Sequence, residues 1–172
     1  MKKETKVINL IGAPGAGKST LSSRLFSDMK MNDIDVEMVS EYAKELVWEE
    51  RKETFKDELY LFAKQNHRMF RLNGKVKYII TDRPLILSQF YNTMYGDKSE
   101  AFKNIVLHEV NKFDNVYIFL NRNKKYNATG RNETEEQSDE FSLKIKNMLI
   151  DLNIDFVEKN STDIIDYKEF IK

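Results

Sequence analysis

Nine residues constrain this chain more than any others: Gly12-Ala13-Pro14-Gly15-Ala16-Gly17-Lys18-Ser19-Thr20. They fit the pattern G-x-x-x-x-G-K-[ST], and both flanks suit it. Lys6-Val7-Ile8-Asn9-Leu10-Ile11 reads as a buried strand, and Leu21, Leu25 and Phe26 fall on one face of a following helix. Strand, glycine turn and helix together give the pattern chemical meaning. Glycines let successive backbone N–H groups converge on phosphate oxygens, and the helix N-terminus adds the positive end of its dipole. Lys18 is expected to reach the β- and γ-phosphates, and the Ser19 hydroxyl to bind Mg²⁺. Residues Gly12 to Thr20 therefore predict a nucleoside triphosphate site.

Composition narrows the setting. The 172 residues fit one domain, 1–172, with enough chain for a continuous core. The 28 Lys and Arg balance 28 Asp and Glu, so no global basic field draws the chain to nucleic acid or to an acidic membrane, although a local basic groove remains compatible. Without cysteine there are neither disulfides nor thiolate metal sites. The N-terminus runs into the first strand with no signal-like apolar segment, and no stretch approaches the ~18 apolar residues of a membrane span. A cytoplasmic protein with no membrane partner is expected. The Lys, Asn and Ile usage points to an AT-rich coding genome, bacterial or phage, and so to a phage-infected host as one setting.

Along the chain strands alternate with helices, which predicts an α/β fold: five parallel strands flanked by helices. After the first strand and helix, the expected strands are Asp35–Val39, Val76–Thr81, Val116–Leu120 and Ile154–Val157. Helices are expected from Ser40 (an N-cap candidate) to Trp48, from about Lys56 to Leu72, and from Pro84 to Tyr95. Others run from about Lys98 to Lys112 and Glu135 to Leu152, with a last one after Ser161. Residues 121–134 are polar, basic and aperiodic, and read as a lid.

Three features bear on what the triphosphate is used for. Asp82 and Arg83 follow the third strand, and ligands of doubly wound sheets bind beyond strand C-termini. Asp82 is expected to face the Mg²⁺ held by Ser19, and Arg83 to reach a phosphate or substrate; the alternative is an ordinary surface pair. Glu41 follows the second strand, placed by the usual strand order beside the one carrying the phosphate loop. There it can accept a proton from an attacking hydroxyl or hold the acceptor in line; otherwise it is a first-turn Glu favoured by the helix dipole. The basic loop offers Arg122 and Arg131 to charge developing on a transferred phosphoryl group, with Arg122 also able to cover the nucleotide base. Trp48, Tyr42, Phe62, Gln65 and Tyr91 lie on helices that rim the acceptor side, each with core packing as the alternative. His67 and His108 have no metal spacing.

These residues resemble the nucleoside and nucleotide kinase branch of the P-loop fold. Gly12 to Lys18 is similar to the loop of adenylate kinases, whose Thr-Gly-Asp and Asp-Gly-x-Pro-Arg stretches are absent here. Asp82-Arg83 with Ser88 and Tyr91 resembles thymidylate kinases. Glu41 with Phe62 and Gln65 resembles deoxynucleoside kinases. Glu41-Tyr42-Ala43-Lys44, and the run from Gly130-Arg131 to Asp151, are similar to the ribosylnicotinamide kinase domain and its small AAA-labelled phage relatives. The resemblance implies ATP, Mg²⁺ and a small-molecule nucleoside or nucleoside monophosphate acceptor. Two other classes stay open: a kinase acting on polynucleotide or a modified DNA base, and a P-loop ATPase or GTPase working with a partner. Net neutrality disfavours a nucleic-acid partner, and no Asn-Lys-x-Asp guanine motif is present. A homodimer is compatible with the sequence.

Overall fold

A computed structural model describes residues 5–96, 98–127, 129 and 133–171. Five parallel strands form one sheet: β1 (Lys6–Ile11), β2 (Val36–Val39), β3 (Tyr78–Thr81), β4 (Asp114–Asn121) and β5 (Val157–Asn160), in the order β2-β3-β1-β4-β5. Between them run α1 (Lys18–Met31), α2 (Ala43–Trp48), α3 (Glu58–Phe70), α4 (Leu87–Tyr95), α5 (Glu100–Val110) and α6 (Glu135–Asp151). A 3₁₀ turn, Lys52–Lys56, separates α2 from α3, and a second, Tyr167–Glu169, comes near the C-terminus.

The period-2 alternation of β1 explains the layering, because successive side chains point to opposite faces. Val7 and Ile11 face one apolar core with Phe62 and Met69 of α3, Phe102 and Val106 of α5, and Phe141 and Ile145 of α6. Ile8 and Leu10 face the other, with Leu21, Leu25 and Met29 of α1 and the C-terminal Ile165, Tyr167 and Phe170. With helices on both sides, parallel strands can be apolar throughout, and all of β3 is buried.

The expected class of fold is present, with local corrections. β5 begins at Val157, three residues later than expected. The N–H of Ile154 turns back to the Leu149 carbonyl (2.9 Å), and Asn153 takes a left-handed φ of 51°, so residues through Ile154 finish α6. Ile154 and Phe156 still pack on the core, which is why they read as strand. The expected last helix is only the turn Tyr167–Glu169, capped by Asp166 through the Lys168 N–H (2.9 Å). α4 starts at Leu87: Pro84 instead opens a turn closed by the Leu87 N–H on its carbonyl. Finally, β3 lies between β2 and β1, so Glu41 follows a strand two places from the phosphate loop, not the adjacent one.

Candidate active site

The loop between β1 and α1 takes the shape its glycines permit. Gly15 and Gly17 have φ of 82° and 92°, a region L side chains avoid. Gly17 is the N-cap of α1 without a side-chain cap, and no acidic residue occupies the first turn. An open, undischarged helix N-terminus is thus left for an anion. Lys18 folds back over the loop, its Nζ donating to the carbonyls of Gly12 (2.8 Å) and Ala13 (2.9 Å). Ser138 of α6 donates to the Pro14 carbonyl (2.6 Å) and braces the loop from outside. Ser19 and Thr20 are exposed, while Ala13 and Ala16 are buried.

A cavity of about 700 Å³ opens from this loop. Its lining brings Lys18 and Ser19 together with Glu41, Glu58, Arg83 and Tyr91. Arg83 organises the floor, where it is 5 % exposed. Its Nη2 donates to Glu58 Oε1 at 3.3 Å, its Nε stands 3.7 Å from Glu41 Oε1, and its guanidinium lies 4.3 Å from the centroid of the Tyr91 ring. Arg83 Nη1 is buried and has no hydrogen-bond partner among the described residues. Asp82 is buried but, unlike Arg83, does not line the cavity; its Oδ1 accepts the Glu41 N–H at 3.0 Å. The end of β3 therefore holds Glu41 at both its backbone N–H and its carboxylate.

Sequence reasoning missed Glu58. The signal was present: positions 58, 61, 62, 65 and 69 are the buried face of α3, so a carboxylate leads an otherwise inward-facing stripe. Asp57 caps the helix through the Tyr60 N–H (3.0 Å), leaving Glu58 free to turn inward. Burial raises the Glu58 carboxyl above its ordinary value; Arg83 and a hydrogen bond from Ser88 pull it back in part. Desolvation also lifts the Tyr91 phenol, which stays a neutral hydroxyl.

The other expected contacts need correction. Phe62 is 3 % exposed and packs edge-on against Phe102 in the core. Gln65 is buried, accepting the Tyr42 N–H (3.0 Å) and donating to the Ser40 carbonyl (3.4 Å), so its amide ties α3 to the chain leaving β2. The Tyr42 hydroxyl pairs with Tyr60 (2.8 Å), and Trp48 is 64 % exposed. None of these four lines the cavity; Tyr91 does. In the basic loop, Arg122 is paired with Glu135 (2.5 Å) and Asp139 on α6 and lies toward the Tyr126 ring. Its guanidinium is thus engaged by acidic partners, although its side chain runs beside the phosphate loop, where a Cβ on Gly15 would stand 3.7 Å from Arg122 Cδ. Lys124 lines the cavity and Arg122 does not. Arg131 lies outside the described residues.

The donors present suit Mg²⁺ carried in on a triphosphate. That ion keeps several waters and needs only a hydroxyl and one or two carboxylates from protein; Ser19 and Asp82 supply those types. Among the described residues no cluster of three or more His, Cys, Asp or Glu could hold a metal unaided, and no helix is long and apolar enough to cross a membrane.

A parallel sheet in this order, with a glycine-rich loop between its central strand and α1, defines a P-loop α/β fold of the nucleotide-kinase type. The chain belongs to the AAA domain family AAA_28, whose model matches residues 7–166. No curated protein matches the sequence. Among solved structures, a NadR protein in complex with NR is similar at 18 % identity and a TM-score of 0.62, over 90 % of this chain and 43 % of that one. A NadR protein in complex with NAD and AMP-PNP is similar at 18 % identity and a TM-score of 0.64, over 97 % and 48 % respectively. The chain thus spans less than half the length of either, and at that identity the likeness is one of fold.

Proposed function

We propose that the protein is an ATP- and Mg²⁺-dependent phosphotransferase that moves the γ-phosphoryl group to a hydroxyl of a nucleoside-type small molecule. One observation carries this reading: the phosphate loop and the Glu41–Arg83–Glu58 cluster line the same cavity. A protein that only hydrolysed nucleotide needs a placed water, not a cavity that extends from the phosphate loop to a pair of carboxylates. The AMP-PNP held by one structural neighbour supports ATP as the donor.

The chemistry follows from the residues. Main-chain N–H groups of residues 15–19 and Lys18 hold the phosphates; Ser19 and Asp82 would hold Mg²⁺, which would neutralise the phosphate charge. The acceptor oxygen bonds to the γ-phosphorus as the bond from that phosphorus to the β,γ-bridging oxygen breaks, and ADP leaves with the electron pair. The acceptor proton passes to the Glu41 carboxylate, late because the transition state is loose. Arg83 and Glu58 hold Glu41 and its neighbourhood in place, and Lys124 adds positive charge near Gly17, where an added Cβ would meet its Nζ at 3.2 Å.

The carboxylates also favour a hydroxyl over a phosphate as the attacking group. A phosphate oxygen needs no base and is repelled by two acidic side chains, whereas a hydroxyl uses one. Incubation with γ-labelled ATP and a panel of nucleosides and nucleoside monophosphates tests the proposal. Label should pass to hydroxyl acceptors, and rapid acceptor-independent release of phosphate with no labelled product would overturn it.

A further inference from the structure

The segment joining Glu41 to Glu58 mixes charges evenly in sequence and segregates them in space. Between positions 44 and 56 stand four bases, Lys44, Arg51, Lys52 and Lys56, and four acids, Glu45, Glu49, Glu50 and Glu53. Lys44, Lys52 and Lys56 all line the cavity; none of the four acids does. Three of the acids are spent on cations: Glu45 on Arg68 (2.7 Å), Glu49 on Arg51 (3.3 Å) and Glu53 on Lys56 (2.6 Å). Lys44 and Lys52 have no carboxylate partner among the described residues. Of the three lysines on the opening, Lys44 and Lys52 are thus uncompensated, and Lys56 shares its charge with Glu53, which does not line the cavity.

Depth separates these lysines from the reacting end. Arg83 and Glu58 form a floor, 5 % and 6 % exposed, whereas all three lysines are exposed at the rim. Val47, Phe55 and Leu61 add apolar wall to the same cavity, a surface suited to the face of a ring. One cavity thus offers a ligand buried carboxylates with Arg83, apolar side chains, and lysines at its exposed part.

Building on the phosphotransfer reading above, we propose that Lys44, Lys52 and Lys56 bind an anionic group carried by the acceptor at the end remote from its reacting hydroxyl. The preferred acceptor is then a nucleoside with a phosphate at that far end. A free nucleoside 3′-monophosphate and the 5′-hydroxyl end of a strand, whose first phosphodiester occupies the same position, share this chemistry. Three lysines suit one or two phosphates and not the flank of a duplex, which agrees with the neutral overall charge.

The test compares three acceptor probes with γ-labelled ATP: the four 2′-deoxynucleosides, their 3′-monophosphates, and short mixed-sequence oligonucleotides with 5′-hydroxyl ends. The full-length protein should use the phosphate-bearing probes at least roughly tenfold better in kcat/KM than the bare nucleosides, the sum of three modest charge contacts. That ratio should shrink as salt is raised and fall to near unity in Lys44→Gln/Lys52→Gln/Lys56→Gln. A higher kcat/KM for the oligonucleotide than for the mononucleotide identifies a strand end as the source, and equal values identify the free nucleotide. Bare nucleosides labelled as well as their phosphates, or a ratio unmoved in the triple variant, overturn the lysine assignment while leaving phosphotransfer standing. Label reaching no probe overturns both.

Discussion

Arg83 Nη2 lies 3.3 Å from Glu58 Oε1, with both side chains only 6 % exposed. Taking two such charges out of water costs several kcal/mol, and their attraction offsets that only when further hydrogen bonds complete the shell. Ser88 and Glu41 supply part of that shell. The pair is poor value for stability alone, which marks it as a device for holding position.

Its pH signature follows from the raised carboxyl of Glu58, whose ordinary value is 4.5. Between 4.5 and the raised value the folded protein holds a proton that the unfolded chain has released. Stability contributed by that proton is complete below 4.5 and is lost as pH rises through the folded-state value. Urea midpoints measured from about pH 4 to pH 8 should therefore fall for the wild type relative to Glu58→Gln. Parallel curves would show that Glu58 titrates normally.

Gly12 tests the backbone. At φ 150° an added Cβ would stand 2.8 Å from the Leu120 carbonyl oxygen on β4, a main-chain atom with little room to yield. Gly12→Ala should cost about 1–3 kcal/mol and lower Tm by several degrees. An unchanged melting curve would mean that β4 can move aside.

Lys18→Ala removes the loop's own cation, whose Nζ donates to the carbonyls of Gly12 and Ala13. ATP affinity should drop and phosphotransfer should disappear while Tm stays within a few degrees, because no core packing is lost. Retained turnover would remove the phosphate-loop assignment.

Glu41→Gln keeps shape and loses basicity. Turnover is expected to fall by roughly 10²–10⁴, with ATP affinity little changed. If Glu41 serves only to start α2, a stability loss of about 0.3–1 kcal/mol with near-normal turnover is the outcome instead.

Arg122→Ala separates a strut from a catalytic arginine. The guanidinium links the loop after β4 to Glu135 and Asp139, so its loss should quicken protease cleavage within 122–127 and weaken ATP binding together. A fall in kcat with unchanged ATP affinity and cleavage would restore the direct role expected from sequence.

What was legible in the sequence is what depends on neighbours in the chain. Gly12 to Ser19 announced its own geometry, and the apolar runs of β1, β3 and β4 marked the central strands. Glu41, Asp82 and Arg83 stand out because they sit just past strand ends; Glu41 and Arg83 line the cavity, and Asp82 meets them through the Glu41 N–H without lining it. What depends on distant partners was not legible. Gln65 looks available for a base edge until the chain leaving β2 uses up its amide. Arg122 looks like a mobile arginine until α6 presents two carboxylates one turn apart. Strand order is set by crossovers rather than by local pattern, so β3 could not be foreseen between β2 and β1.

Asp82 and Arg83 are consecutive in the chain, yet one takes the N–H of Glu41 and the other the carboxylate of Glu58. Both ends of the segment from Glu41 to Glu58 are thus clasped by a single dipeptide. Closing a longer or shorter loop between such fixed ends adds only about 0.6 kcal/mol per doubling of length. Apart from Leu46, which is buried, and the ties of Tyr42 and Glu45 to α3, the segment's exposed positions can vary, and with them what the rim recognises, while the clasp at its two ends stays the same.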